Sequence, residues 1–179
     1  MNILEHYENT APTTEMPPQE AAAFALLNQL GMHYTGVTHD IADTMEDCID
    51  INAALGVELC KNLFLCNRQK TAYYLLTMPA DKPFVTKTLC SQIGSARLSF
   101  ASGEDMEELL GVTPGSATIL GLMNDPDQRV QLLMDRATYN APAFGCHPCK
   151  NNASIRLDTK ELLRVFLPYT KHSPTVVDL

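Results

Sequence analysis

Two short apolar runs joined by a polar connection limit the folds open to this chain more than any other feature. The runs are Asn62–Cys66 and Tyr73–Met78, and the polar tetrapeptide Asn67-Arg68-Gln69-Lys70 lies between them. Apolar runs of this length around a short polar turn are typical of a β-hairpin. An antiparallel pair of strands is therefore expected, with the remaining elements arranged around it.

Prolines, capping residues and glycines divide the rest of the chain into helices and strands. Helices are predicted over 17–30, 44–55, 86–93 and 103–110, and from about residue 158 onward. Thr44 is the expected cap of the second helix, with Met45 on its buried face. Strands are predicted over 33–38, 97–101, 116–123, 129–135 and 153–157.

The order of these elements indicates the fold class. Helices and hairpin-like strands are mixed rather than strictly alternating, so an α/β fold of the α+β type is expected, with helices packed against a mixed sheet. Residues 1–16 lack periodicity and are predicted to form a flexible leader. Residues 17–179 are then expected to form a single domain, since a chain of 179 residues is large enough to bury one continuous core.

Charge is unevenly distributed along the chain. Residues 1–60 hold ten Asp or Glu and neither Lys nor Arg, whereas residues 61–179 hold all 13 basic residues and 11 acidic ones. Binding along a nucleic acid requires clustered Lys and Arg, and the net charge of −8 repels a polyanion. DNA and extensive nucleic-acid contact are therefore not expected, whereas contact with a short nucleic-acid end stays open.

Nothing in the sequence predicts a membrane span or a secretory signal. The longest uninterrupted apolar run, residues 21–27, is far too short to cross a bilayer. The segment before it is acidic and contains no Lys or Arg, unlike the start of a cleaved signal. A cytoplasmic protein without a membrane partner is expected.

Six cysteines occur, and one pair, Cys146 and Cys149, has the C-x-x-C spacing. A redox pair of this spacing normally opens a helix, but here Lys150 and two asparagines lead into a predicted strand. A four-ligand zinc site needs a second pair, and the spacing between Cys60 and Cys66 is poor for one. Redox or zinc chemistry at Cys146 and Cys149 is kept as an alternative, and the prediction is that the protein uses no metal or cofactor.

Three segments hold side chains suited to chemistry, and each also has a purely structural interpretation. Lys61 at the start of a strand is either a solvated flank or a cation for a phosphate. The loop Gly111–Ser116 is either a helix cap followed by a turn or a close approach to a ligand, with N–H groups for an oxyanion. His147, followed by Pro148, is either an exposed loop residue or an imidazole presented to a ligand.

Five separated segments form a combination that is more specific than any one of them. They are Lys61-Asn62-Leu63-Phe64-Leu65, Leu98-Ser99-Phe100-Ala101, Leu110-Gly111-Val112-Thr113-Pro114-Gly115-Ser116, Gly121-Leu122-Met123-Asn124-Asp125 and His147-Pro148 with Asn151. In this order they resemble the YbaK/ProX family of aminoacyl-tRNA deacylases, which is related to the editing domain of bacterial prolyl-tRNA synthetases. The resemblance covers about residues 20–168 and implies a mixed α/β fold with a largely antiparallel central sheet.

The resemblance also implies an activity. It is nearest to the freestanding ProX branch, so the implied function is hydrolysis of the Ala-tRNA(Pro) ester in trans, with pocket size excluding proline. The implied partners are the acceptor end of the aminoacyl-tRNA and prolyl-tRNA synthetase. Deacylation of Cys-tRNA(Pro) or another mischarged tRNA, and a non-catalytic module that binds an aminoacyl end, are the alternatives.

By the same resemblance, three residues carry the reaction. Lys61 would hold the phosphate or ribose of the terminal nucleotide, His147 would orient the aminoacyl group or a water molecule, and Gly115 would offer an N–H to the oxyanion. Asn62 would complete the polar wall beside Lys61, and Asn151 would support the loop of His147. The other residues of the loop that closes over the ester are Gly111, Thr113, Pro114 and Ser116. Candidates for outer phosphate contacts are Arg68, Lys70, Lys82, Lys87 and Lys150.

Overall fold

The computed structural model of the protein describes residues 2–42 and 47–179. The strands in these ranges are β1 (Ile3–Glu8), β2 (Tyr34–His39), β3 (Cys60–Asn67), β4 (Tyr73–Pro79), β5 (Leu98–Phe100), β6 (Val130–Asp135), β7 (Ala143–Cys146), β8 (Ala153–Asp158) and β9 (Thr175–Val177). The helices are α1 (Pro18–Gln29), α2 (Asp47–Leu55), α3 (Thr86–Ile93), α4 (Gly103–Leu110), α5 (Arg136–Asn140), α6 (Thr159–Glu161) and α7 (Leu167–Tyr169). A π-helical turn, Leu162–Phe166, joins α6 to α7, and a 3-10 helix spans Ile119–Asn124.

The strands form two sheets in which most neighbours are antiparallel. The first sheet has the order β1-β2-β8-β7, and its pairs are antiparallel. The second has the order β5-β3-β4-β6-β9, in which β6 lies parallel to both neighbours. The predicted hairpin is β3 and β4, with Cys60 opposite Pro79 and Cys66 opposite Tyr73. The structure thus confirms the expected mixed α/β fold, with two sheets in place of one central sheet.

Local signals placed several helix ends correctly. The Ser102 hydroxyl accepts a hydrogen bond from the N–H of Asp105, whose carboxylate accepts one from the N–H of Ser102, so a capping box starts α4. Gly94 and Gly111 end α3 and α4 in the left-handed conformation that favours glycine. Among the described residues, no helix has the length and apolar character needed to cross a bilayer.

The helices and the sheets enclose a core rich in aromatic side chains. Phe24 of α1, Phe64 of β3, Phe144 of β7 and Phe166 of the π-helical turn are fully buried in the main cluster. Burial of a phenylalanine side chain contributes about 1.5–3 kcal/mol of transfer free energy. This core draws on both sheets and on both ends of the chain.

The predicted flexible leader is wrong for its first half. Ile3–Glu8 form β1, which pairs antiparallel with β2. Tyr7 is buried and makes edge contacts with the rings of Phe24 and Tyr34. Hydrogen bonding to β2 and burial of this one aromatic ring therefore attach the segment to the domain, which sequence periodicity alone did not indicate.

The predicted strand over 116–123 is also wrong, because most of this segment forms the 3-10 helix. Thr118 caps that helix through its hydroxyl, which accepts from the N–H of Leu120. Gly121 lies so close to Leu110 that a Cβ atom would be 2.9 Å from the Leu110 carbonyl oxygen. Tight packing against the end of α4 thus overrides the apolar strand pattern. The expected helix cap Thr44 and its neighbour Met45 lie outside the described residues.

Gly145 is the point at which the two sheets meet. It forms an isolated parallel bridge with Leu59, so β7 of the first sheet lies beside the residues that lead into β3 of the second. A Cβ atom on Gly145 would lie 2.8 Å from the carbonyl oxygen of Glu58, closer than real Cβ contacts. The missing side chain therefore lets β7 approach the start of β3.

We expect Gly145→Ala to lower the free energy of unfolding by about 2–3 kcal/mol, because the added methyl group meets a backbone atom rather than a flexible side chain. Ala143→Gly in the same strand is the matched control, and its cost is about 0.5–1 kcal/mol from backbone entropy. Urea denaturation of the three proteins measures the difference. A loss for Gly145→Ala no larger than that for Ala143→Gly would contradict the close approach of the sheets.

Candidate active site

A cavity of about 360 Å³ lies where three segments distant in the sequence come together. The start of β3 contributes Lys61 and Asn62, the loop after α4 contributes Gly115, and the loop after β7 contributes His147. Most of the remaining wall is apolar and includes Leu59, Leu63, Phe64, Phe100 and Met106. Concave, mostly apolar sites with a few convergent polar groups are typical of small-ligand pockets. The three residues predicted to carry the reaction therefore line one cavity.

Lys61 is half-buried, and its ammonium group is held by a neutral acceptor. Its Nζ atom donates to the carbonyl oxygen of Lys82 at 2.6 Å. The loop that carries this carbonyl is anchored in turn, because Lys82 forms an ion pair of 2.8 Å with the buried Asp135. A carbonyl oxygen orients the ammonium group without neutralising it, so the positive charge of Lys61 is available to an anionic ligand.

Asn62 is a cavity residue whose side-chain oxygen has no hydrogen-bond donor among the described residues. Its Nδ2 atom donates to the carbonyl oxygen of Cys60 at 3.3 Å. Its Oδ1 atom is buried and has no hydrogen-bond partner among the described residues. A buried polar atom left unpaired costs about 1–3 kcal/mol, which a ligand donor would recover if the amide turned its oxygen toward the cavity.

Only one residue of the predicted glycine-rich loop lines the cavity. Gly115 does so with a φ of 87°, a conformation open to glycine. Ser116 is buried, and its N–H donates to the carbonyl oxygen of Thr113 at 3.0 Å, which closes a turn. Thr113 and Pro114 are exposed, and Gly111 packs beneath Asn124 at the end of α4. Of the five predicted loop residues, Gly115 alone is therefore part of the cavity wall. The prediction that Gly111, Thr113, Pro114 and Ser116 contact the substrate directly is not supported by their positions.

The main chain of His147 is tied to the residue that caps the 3-10 helix. The Thr118 hydroxyl donates to the carbonyl oxygen of His147 at 2.7 Å. The imidazole Nδ1 atom of His147 lies 3.0 Å from the carbonyl oxygen of Ala153 and therefore donates to it. With the proton on Nδ1, the other ring nitrogen, Nε2, carries a lone pair. His147 can thus offer a hydrogen-bond acceptor to a ligand or a water molecule.

Asn151 does not line the cavity but supports one of its walls. Its side-chain Nδ2 atom donates to the carbonyl oxygen of Ala42 at 2.7 Å, and its backbone carbonyl oxygen accepts from the N–H of Ala42 at 3.4 Å. Ala42 is a cavity residue. Asn151 therefore connects the loop after His147 to the segment after β2.

A further histidine, His39, is buried beside the site and was not among the residues predicted from the sequence. His39 ends β2, and its ring centroid lies 6.4 Å from that of His147. The Ser154 hydroxyl of β8 lies between the rings, 2.9 Å from His39 Nε2 and 3.2 Å from His147 Nδ1. The only local signal was a polar residue at the end of an apolar strand, because β8 brings the two histidines together only in the folded chain.

Both histidines are electrically neutral near neutral pH. Burial lowers the pKa of His147, and the neighbouring His39 lowers it further. Burial also lowers the pKa of His39, against a smaller opposite effect of the Asp40 carbonyl. The imidazole of His147 is therefore poised to accept a proton or a hydrogen bond rather than to act as a cation.

The C-x-x-C pair is enclosed rather than presented to solvent. Cys146 and Cys149 are buried, and no cysteine of the chain is in a disulfide. Burial raises the pKa of the Cys146 thiol, and it raises the pKa of Cys149 to about 12. Within the described ranges, no three His, Cys, Asp or Glu side chains are grouped as metal ligands.

Two of the five basic candidates for outer phosphate contacts have carboxylate partners. Lys70 pairs with Asp105 at 2.7 Å, and Lys82 pairs with Asp135 at 2.8 Å. An existing ion pair competes with a phosphate for the ammonium group. Both lysines are therefore held by a carboxylate, whereas Lys61 is held by a neutral carbonyl oxygen.

We expect NMR titration to place the pKa of both His39 and His147 below the usual value of 6.5 and that of the exposed His33 above it. A hydrogen bond to Glu161 raises the pKa of His33, which serves as the internal control. At the two buried positions the unfolded chain binds more protons than the folded one. Their contribution to stability is therefore present above pH 6.5 and declines as the pH falls below that value. Midpoints above 6.5 for the buried rings would contradict this neutral pair.

We expect iodoacetamide to leave Cys146 and Cys149 unmodified in the native protein, because a buried thiol with a raised pKa forms little thiolate. Half-buried Cys90 is the internal control and is expected to react more readily. Mass spectrometry of digests made before and after denaturation in urea measures the difference. Rapid alkylation of either buried thiol in the native protein would instead favour a thiol function.

Comparison with known proteins shows the family of the chain. The model of the family described as aminoacyl-tRNA editing domain matches residues 39–165. The prolyl-tRNA editing protein ProX of Acetoanaerobium sticklandii is 31% identical over 144 residues, which cover 80% of this chain and 88% of that protein. The prolyl-tRNA synthetase associated domain-containing protein 1 of Bos taurus is 30% identical over 164 residues, which cover 89% and 91% of the two chains.

A solved structure shares the fold at lower identity. It is described as a candidate trans-editing enzyme for prolyl tRNA synthetase, and it superimposes with a TM-score of 0.67 at 19% identity, over 92% of this chain and 98% of that one. The family match spans well over half of this chain and confirms the family and the enzyme class predicted from the sequence. The chain therefore belongs to the aminoacyl-tRNA editing domain family and is an aminoacyl-ester hydrolase of the YbaK/ProX type.

Proposed function

We propose that this protein hydrolyses the ester of Ala-tRNA(Pro) in trans. The observation that carries the proposal is the convergence of Lys61, Gly115 and His147 on one cavity from three distant segments. The name of the relative from Acetoanaerobium sticklandii, a prolyl-tRNA editing protein, supports proline tRNA as the carrier. Names of other relatives support prolyl-tRNA synthetase as a partner that supplies the mischarged product.

The charge of Lys61 suits the nucleotide end of the substrate. The terminal nucleotide of a tRNA brings a phosphate and a ribose, and Lys61 is a cation held at the cavity by a neutral carbonyl. An ammonium group acts on a phosphate as a compact point charge. Lys61 would thus fix the position of the ribose to which the amino acid is attached, and so the position of the ester.

The unpaired oxygen of Asn62 suits the amino-acid end. An aminoacyl ester carries a free α-ammonium group, which is a strong hydrogen-bond donor. The Oδ1 atom of Asn62 is a buried acceptor with no partner among the described residues, and its side chain lines the cavity. If the amide turns so that this oxygen faces the cavity, pairing the two would satisfy both groups and would orient the carbonyl carbon of the ester.

His147 and Gly115 would then act on the reacting atoms. A water molecule attacks the carbonyl carbon, which forms a tetrahedral oxyanion that the backbone N–H of Gly115 stabilises. His147 orients that water through the lone pair of Nε2. The C–O bond to the ribose breaks, and the ribose oxygen leaves with a proton while the amino acid leaves as the acid. The free ribose hydroxyl of the terminal adenosine can assist in moving the proton.

We expect a panel of alanyl, cysteinyl, seryl and prolyl esters on matched proline tRNA to show hydrolysis of the alanyl ester and survival of the prolyl ester. The proposal requires the cavity wall to exclude the bulkier proline ring, because steric exclusion discriminates more strongly than attraction between similar apolar groups. An N-acetyl-alanyl ester lacks the ammonium group and should be cleaved slowly. Cleavage of the prolyl ester at the rate of the alanyl ester would contradict the proposed selection.

Lys61→Ala should lower kcat/KM for the alanyl ester by about 100-fold while the melting temperature changes little. Lys160→Ala removes an exposed lysine of α6 and is the matched control, with hydrolysis expected to be unchanged. Equal values of kcat/KM for the two variants would contradict a role for Lys61 in the reaction.

A further inference from the structure

We propose that His39 and Ser154 are positioning residues that hold the imidazole of His147 in one tautomer, with the proton on Nδ1. The three side chains are called the histidine relay below. The inference rests on the proposed function for its effect on catalysis, whereas the proton positions can be measured without any substrate.

The topology of the first sheet brings the relay together. β8 lies between β2 and β7, so its side chains can reach residues at the ends of both neighbours. His39 is the last residue of β2, His147 directly follows β7, and Ser154 is near the start of β8. Ser154 is fully buried and His39 is 2% exposed. Solvent therefore does not compete for the hydrogen bonds between them.

The proton on His39 can be assigned from its partners. Its Nδ1 atom lies 2.7 Å from the carbonyl oxygen of Asp40, which can only accept, so Nδ1 carries the proton. Its Nε2 atom is then an acceptor and lies 2.9 Å from the Ser154 hydroxyl. The Ser154 hydroxyl proton is therefore directed at His39.

This direction decides what Ser154 presents to His147. Having donated to His39, the Ser154 oxygen has only lone pairs to offer on its other side, where His147 Nδ1 lies 3.2 Å away. The carbonyl oxygen of Ala153 is a second acceptor for the same nitrogen at 3.0 Å. Both neighbours thus require a proton on Nδ1 of His147, and its Nε2 atom keeps the lone pair for the cavity.

Loss of His39 would reverse the direction of the hydrogen bond between Ser154 and His147. With no acceptor on the β2 side, the hydroxyl is free to donate to His147 Nδ1, which can accept only in the tautomer that has its proton on Nε2. The cavity would then meet an N–H group where it needs an acceptor for the attacking water. The wrong tautomer of His147 is then caused by the Ser154 hydroxyl. Removing that hydroxyl as well should restore the proton to Nδ1 of His147.

We therefore expect His39→Leu to lower kcat by about tenfold with little change in KM, since one misdirected hydrogen bond is at stake. The double variant His39→Leu/Ser154→Ala should recover most of the lost rate, because Ala153 then remains as the neighbour that selects the tautomer. His39→Gln, whose side-chain oxygen can accept from Ser154, should stay near the wild-type rate. His33→Leu, at an exposed histidine, is the matched control and should change neither constant.

Long-range ¹H–¹⁵N correlation spectra of histidine-labelled protein at neutral pH report the tautomer directly. The wild type should show His39 and His147 protonated at Nδ1, and His39→Leu should show His147 shifted toward the other tautomer. A wild-type His147 protonated at Nε2, or a double variant slower than His39→Leu, would overturn the relay, since a merely structural role makes the two losses accumulate. Because the wild-type spectrum needs no variant to fold, it decides the proton positions in any case. If the wild type cleaves no aminoacyl ester, the proposed function fails while the spectra still decide the relay.

Discussion

The approach of β7 to the segment that leads into β3 is the contact on which the rest of the site depends. Lys61 and Asn62 belong to one sheet and His147 follows a strand of the other, so the cavity exists only where the sheets meet. Gly145 permits that meeting because a Cβ atom there would collide with a backbone carbonyl. A hydrogen bond to the His147 carbonyl comes from Thr118, which caps the 3-10 helix that follows the glycine-rich loop.

The lysine at the site has a neutral hydrogen-bond partner, whereas two other lysines have carboxylate partners. Lys70 and Lys82 each pair with a carboxylate, which neutralises them and fixes loops. Lys61 is oriented by a neutral carbonyl, and the two histidines are neutral because desolvation lowers the pKa of each ring. Among the described residues, the cavity therefore combines the available cation of Lys61 with the neutral imidazole of His147 and the amide of Asn62. Such an arrangement suits a ligand that brings an anion at one end and a donor at the other.

The elements predicted correctly from the sequence are those that local chemistry controls. The hairpin of β3 and β4, the capping box before α4 and the glycine ends of α3 and α4 all depend on neighbours within a few residues. The predictions that were wrong concern segments whose conformation depends on distant partners. β1 forms by pairing with β2, and the 3-10 helix packs against the end of α4.

The amino-acid order by itself determined the fold class, the family and the identity of Lys61, Asn62, Gly115 and His147 as residues of interest, because each lies in a recognisable local motif. Only the tertiary structure decided which atoms of those residues are available. It turned Ser116 and Gly111 away from the cavity, left the Asn62 oxygen without a donor and placed His39 beside His147 across β8. The physical reason is that hydrogen-bond direction and burial depend on strand pairing between residues far apart in the chain, which no local pattern encodes.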